Sequence, residues 1–75
     1  MVNDITLTPN TYRVLKGVPA EWWDEHEVVT SISVVHATTM ADTRKRLAWL
    51  IAQQLVERRR TQTIAATTEI RRVGK

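Results

Sequence analysis

The spacing of apolar positions predicts, from the N-terminus onward, a short helix, a segment of conflicting signals, a long amphipathic helix and two strands. The first helix opens at Thr8-Pro9. Threonine is a good N-cap, and proline at the first helical position gives up an N–H that has no intrahelical partner anyway. The helix runs through Tyr12, Leu15 and Lys16 to Gly17, read as its C-cap, and Pro19 stops it. Tyr12 and Leu15 share a face and are expected to turn toward the core, with Leu7 anchoring the chain ahead of the cap.

The stretch from Pro19 to Glu27 reads as an irregular segment or a short helical turn, carrying Trp22-Trp23 and the acidic residues Asp24, Glu25 and Glu27. Two adjacent indoles cannot both point inward from one helix face, so one is expected to close the core and the other to cover a surface or a partner. From Val28 to Ala37 two readings compete. The β-branched run Val28 to Val35 favours a strand by propensity. The alternative is a short strand at Val28-Val29 followed by a brief helix, capped by Thr30 or Ser31, with Ile32, Val35 and His36 at helical spacing.

Thr38-Thr39 supplies caps for the strongest helix, Met40 to Gln54, in which Met40, Leu47, Leu50, Ile51 and Gln54 or Leu55 form one apolar stripe. Its opposite face carries Asp42, Lys45, Arg46, Trp49 and Gln53, as expected of a helix that packs on a core with one side and meets something polar with the other. Leu55 to Thr61 and Thr67 to Val73 then read as two strands. Between them Gln62 to Ala66 has no glycine, proline or asparagine, so a loop longer than a tight primed turn is expected. No repeat or linker divides the chain, which is read as a single domain over residues 1–75, frayed at its first residues and at Gly74-Lys75.

Composition sets limits on this outline. A chain of 75 residues buries only roughly 60% of its unfolded surface, so stability is expected to be marginal. With 43% hydrophobic and 25% charged residues it is globular in type rather than disordered. The absence of cysteine excludes disulfides and thiolate metal sites and favours a reducing, cytoplasmic setting. No window approaches the roughly 18 apolar residues of a membrane span, and Met1 to Thr8 lacks the pattern of a leader, so a soluble, unprocessed protein is expected.

Charge changes the picture more. Residues 1–41 carry two basic side chains (Arg13, Lys16) against five acidic ones (Asp4, Glu21, Asp24, Glu25, Glu27), a net of −3. Residues 42–75 carry nine basic against three acidic (Asp42, Glu57, Glu69), a net of +6. A basic half of this kind attracts polyanions, of which nucleic acid is the commonest. The competing reading is a solvated charged face.

The order helix, short strand, short helix, turn, long basic helix, basic hairpin resembles the winged helix-turn-helix family. The specific likeness is in Arg44-Lys45-Arg46-Leu47-Ala48-Trp49-Leu50-Ile51-Ala52-Gln53-Gln54-Leu55-Val56-Glu57-Arg58, similar to that family's recognition helix running into the first wing strand, and Ile70-Arg71-Arg72-Val73 resembles the returning strand. The family commonly has glycine before that strand, in a left-handed conformation, where this chain has Gln54, at a cost of about 1 kcal/mol. The resemblance implies an α+β fold of three helices followed by a two-stranded C-terminal hairpin wing, and it favours the short helix after a strand at Val28-Val29.

It also implies double-stranded DNA binding by a small sequence-specific regulator of phage or mobile-element type, with the long helix in the major groove. Thr39, Asp42, Thr43, Lys45 and Arg46 form the expected reading or positioning set, Arg46 foremost for a bidentate guanine contact, while Arg44 reaches a phosphate. Arg58, Arg59, Arg60, Arg71 and Arg72 flank phosphates or the minor groove. Alternation along a strand puts Arg59 on the opposite sheet face from Arg58 and Arg60, and a charged edge strand is the competing explanation for all three. Tight operator binding by so small a module calls for a homodimer on two half-sites.

Other chemistry has little support. His26 and His36 lack the companions of a metal site and read as structural, and no glycine-rich phosphate loop occurs. The acidic cluster reads as a solvated loop or as repulsion keeping DNA from the back of the domain, so neither catalysis nor a cofactor or small-molecule substrate is expected. Trp49 reads as a rim residue, a dimer contact or a stacking platform. The alternative function is a protein-interaction module on the same scaffold, anchored by Trp22, Trp23 and Trp49.

Overall fold

The computed structural model describes residues 7–61 and 67–73. Three helices and three strands follow in the order α1 (Pro9–Gly17), β1 (Trp23–Asp24), α2 (Glu25–Val35), α3 (Met40–Ala52), β2 (Val56–Arg60) and β3 (Thr68–Arg72). The strands form one antiparallel sheet in the order β1-β3-β2, giving an α+β architecture. The fraying expected at the termini and the loop expected at Gln62 to Ala66 lie outside the described residues.

Each helix begins where a side-chain oxygen can satisfy an otherwise unpaired N–H. Thr8 accepts from Thr11 N, Asp24 from Glu27 N at 3.0 Å and Thr39 from Asp42 N at 3.0 Å. The Asp24 cap displaces the strand expected at Val28-Val29. The helix it opens absorbs the whole β-branched run, and a two-residue strand forms immediately before that helix, at Trp23–Asp24. Val28, Val29, Ile32 and Ser33 fall on one helical face and are buried, whereas Val35 and His36, expected alongside Ile32, are exposed. Burial of that face outweighs β propensity, and Ser33 satisfies its hydroxyl on Val29 O at 2.7 Å.

The hairpin is accordingly two strands of a three-stranded sheet, since β1 adds to β3 with Trp23 opposite Ile70 and Asp24 opposite Glu69. In the β2–β3 register Val56 lies opposite Arg72 and Arg58 opposite Ile70. Arg72 N also donates to Pro19 O at 2.7 Å and Val73 N to Leu55 O at 2.9 Å, tying the base of the hairpin to both neighbouring segments.

The core consists of Val14, Val18, Val28, Val29, Ile32, Leu47, Leu50, Val56 and Ile70, with Leu7, Leu15, Met40, Ile51 and Leu55 packed around it. Two aromatic expectations are corrected. Tyr12 is 49% exposed, because the inward stripe of α1 runs through Thr11, Val14 and Val18 and leaves the ring beside Lys16. Neither member of the Trp22-Trp23 pair closes the core. Trp23 is half exposed, and Trp22 is stacked between two arginines of the sheet.

Both later helices end in the same way. After α2, Ala37 takes φ 52°, with Ala37 N on Val34 O and Thr38 N on Ser33 O; after α3, Gln54 takes φ 64°, with Gln54 N on Ile51 O and Leu55 N on Leu50 O. These paired bonds satisfy the last carbonyls through a left-handed residue, a conformation best suited to glycine. Gly17, by contrast, is the last residue of α1 rather than its cap, which is Val18. Gly17 is needed for closeness, since a Cβ there would stand 2.6 Å from Cγ1 of Ile32. Among the described residues no helix is long and apolar enough to cross a membrane.

Two substitutions test these backbone arguments by thermal or denaturant unfolding. Gly17→Ala is expected to destabilise by about 1–3 kcal/mol through overpacking against Ile32. Gln54→Gly is expected to stabilise by about 1 kcal/mol by relieving the left-handed strain. A Gly17→Ala variant as stable as the parent would refute the close approach of α1 to α2.

Candidate nucleic-acid interface

The rotation of α3 decides which of its polar residues can reach a ligand. Leu47 and Leu50 are buried to 1% and 0% exposure, and Thr43 is buried with them at 0%. Because Ser33 Oγ donates to Val29 O, Thr43 Oγ1 is the donor to Ser33 Oγ at 2.8 Å, so its hydroxyl locks α3 against α2. The expectation that Thr43 reads DNA is therefore corrected, since no base edge can approach it.

Arg46 is corrected too. Its Nε donates to Asp42 Oδ2 at 2.9 Å, one turn back, and its NH1 donates to Thr11 Oγ1 at 3.1 Å on α1. The guanidinium expected to fork onto guanine is thus a clasp between α1 and α3. Asp42 is engaged in the same network and also accepts from Thr38 Oγ1 at 3.3 Å. Its hydrogen bond with Arg46 is the largest influence on its acidity and holds the carboxyl below the usual carboxylate range, against a smaller opposing effect of burial.

Arg44 and Lys45 remain on the exposed side of α3, with Thr39 exposed at its start. Lys45 also borders a groove of about 380 Å3 between α1 and α3 with Thr8, Thr11, Asp42, Arg46 and Trp49. Trp49, 39% exposed, forms part of the wall of that groove, at the rim of the fold.

On the sheet the register separates the arginines by face. Glu57, Arg59, Glu69 and Arg71 share the outer face, where Arg59 pairs with Glu69 at 2.9 Å and Arg71 with Glu57 at 2.6 Å. The two guanidinium carbons sit 4.2 and 4.7 Å from the centre of the Trp22 ring, so Trp22 is held between them. Arg58 and Arg60 lie on the other face with Ile70, toward the helices. Arg58 forks onto Glu25 of α2 at 3.0 and 3.2 Å. Arg60 is exposed and has no hydrogen-bond or ion-pair partner among the described residues, and Arg72 lies at the hairpin base in a groove with Ala20, Glu57, Arg71 and Val73.

The eight basic residues of the expected site are therefore divided. Arg46, Arg58, Arg59 and Arg71 are in ion pairs, and Arg59 and Arg71 face away from the helices. Arg44 lies where α3 meets the hairpin, Lys45 borders the groove between α3 and α1, and Arg58 and Arg60 share the sheet face of Ile70. A groove of about 300 Å3 is lined by Arg44 of α3, by Asp24, Glu25 and His26 at the start of α2, and by Thr67 and Thr68 of the hairpin. The acidic cluster is thus not a solvated loop: Asp24 caps α2, and Glu25 holds Arg58 beside this groove.

His26, Thr67 and Thr68 are groove residues that the sequence reading missed. The signal for His26 was present in Asp24-Glu25-His26-Glu27: an aspartate three residues before a glutamate marks a helix start and puts the histidine in its first turn. Among the described residues no cluster of three or more His, Asp or Glu side chains is placed to hold a metal ion.

The role of Arg46 is testable apart from any ligand. Because the acidity of Asp42 is raised in the folded state, the pair contributes stability above the ordinary carboxylate range and loses it as pH falls through the lowered value. Arg46→Met is expected to return the Asp42 titration toward the ordinary carboxylate value, followed by NMR of its side-chain carboxyl. An unchanged midpoint would show that Arg46 does not hold Asp42 in solution.

No family model matches the chain, and no curated protein or solved structure shows significant similarity to it.

Proposed function

We propose that this protein binds double-stranded DNA as a winged helix-turn-helix module, with α3 in the major groove and the β2–β3 hairpin as the wing. The observation that supports this reading is the groove in which Arg44 of α3 meets Thr67-Thr68 of the hairpin, next to the exposed Lys45 in the sequence of α3. The element order and the short turn between α2 and α3 support it. An exposed helix flanked by a basic ribbon matches a groove wide enough for a helix and bounded by phosphates.

Within this reading Lys45 is the central α3 contact, suited to the O6 and N7 acceptors of guanine, and Thr39 lies where the helix enters the groove. Arg44 and Arg60 take phosphates, and Arg58 joins them if it leaves Glu25. Arg59 and Arg71 bind the sheet together rather than the duplex. The module acts as a small cytoplasmic transcriptional regulator, and a homodimer on paired half-sites supplies the affinity one module lacks.

The second reading, a protein-interaction module, draws on exposed apolar side chains: Trp23 at 51%, Val34 at 74% and Val35 at 70%. Trp22 no longer belongs to it, being stacked within the sheet. Salt separates the two readings. About three phosphate contacts, from Arg44, Arg60 and Arg58 or Arg72, give a slope of log affinity against log salt of roughly −3, whereas an apolar interface is nearly indifferent to salt.

The decisive variant is Lys45→Ala combined with Arg60→Ala. It is expected to weaken retardation of duplex DNA at least about tenfold while leaving the melting temperature unchanged, because both side chains are exposed. Undiminished binding by a folded double variant would reject this docking.

A further inference from the structure

The groove between α2, α3 and the hairpin has a chemistry that the charge pattern alone does not convey. Arg44 NH2 lies 3.4 Å from Nδ1 of His26. A guanidinium can only donate, so Nδ1 is the acceptor in this contact. The contact is long, and both groups are exposed at the mouth of a concavity whose other wall is the hydroxyl-bearing pair Thr67-Thr68. Two carboxylates border the same space, and both are already engaged. Asp24 accepts from Glu27 N as the cap of α2, and Glu25 accepts both donors of the Arg58 fork.

We propose that this groove seats one backbone phosphate of the duplex, held by Arg44 and by a protonated His26, so that DNA binding takes up a proton. The inference rests on the DNA-binding reading and adds to it a residue and a linked ion. An anionic oxygen placed between the two side chains replaces the weak Arg44–His26 contact. Arg44 donates to the oxygen, and Nδ1, no longer needed as an acceptor, takes a proton and donates as well.

An imidazole is the side chain suited to such an exchange, because its ordinary titration lies near neutral pH. The charged groups around His26 are Asp24, Glu25 and Glu27 from its own turn, Arg44 from α3, and Arg58 from β2 by way of Glu25; Thr67 and Thr68 from the hairpin side are uncharged. A phosphate added there favours the protonated ring and leaves the Glu25–Arg58 ion pair in place. The bound complex therefore holds the proton more tightly than the free protein, and affinity falls as pH rises through the titration of the complex.

The test measures the affinity of a short mixed-sequence duplex at pH 6 and pH 8, at constant ionic strength, for the parent protein, His26→Gln and His36→Gln. His36 is the other histidine, exposed at the far end of α2. The parent is expected to bind about fivefold more tightly at pH 6 than at pH 8, the effect of one proton taken up with the phosphate. His26→Gln is expected to be flat with pH, and His36→Gln to behave as the parent. Persistence of the pH effect in His26→Gln, or its absence from the parent, overturns the proposal while Lys45-dependent binding leaves the DNA reading standing. Absence of duplex binding by the parent at both pH values overturns the two together.

Discussion

The arrangement depends first on the burial of one side of α3. Leu47 and Leu50 are inserted in the core, and Thr43 is fixed between them and α2 by a hydrogen bond to Ser33. In a domain this small, losing either leucine would cost a large part of the total stability, and turning α3 to expose Thr43 would withdraw them both. The helix therefore has one rotational setting, which assigns every polar residue on it to solvent, to α1 or to the interior. Arg46 goes to α1, Arg44 and Lys45 go outward, and the hairpin follows because Leu55 and Val56 continue directly from the end of α3.

A second constraint is electrostatic. A half-molecule carrying a net charge of +6 repels itself, and the fold answers by pairing the carboxylates of the C-terminal half with arginines: Asp42 with Arg46, Glu57 with Arg71 and Glu69 with Arg59. Glu25 contributes a fourth pair from the acidic half. Exposed pairs of this kind stabilise by about 0–1 kcal/mol each, so their main effect is on placement. They hold Arg59 and Arg71 against Trp22 on the outer sheet face and leave Arg44, Lys45, Arg60 and Arg72 outside these pairs. The count of arginines in the sequence overstates the surface open to a polyanion, because four of the seven expected in the site are engaged in ion pairs within the chain.

Much of the fold was legible in the sequence because the strongest local signals agree with the tertiary packing. Thr8-Pro9 and Thr39 start helices, and Leu47, Leu50 and Ile51 mark the packed side of α3. Gln54 does adopt the left-handed conformation in which glycine would have been easier. The strand was misplaced because six of the eight side chains from Val28 to Val35 are β-branched, and only the burial of this run against α1 and α3 makes a helix the better solution. The binding set was overdrawn for a different reason. A sequence lists charges but not their partners, and the Arg46 clasp spans 35 positions while the Arg58 fork spans 33. His26 escaped notice because its neighbours in space, Arg44 and Thr67-Thr68, come from later elements.

The central claim is that the duplex meets the Arg44–Lys45 side of α3 together with Arg60, and not the outer sheet face. NMR chemical-shift mapping during titration with duplex DNA tests it most directly, since the three indole N–H signals report on separate places. The account predicts shifts at Thr39, Arg44, Lys45, Ala48 and Arg60, with the Trp22 indole unmoved between Arg59 and Arg71. A large shift at Trp22, Arg59 and Arg71, with α3 unaffected, would contradict it.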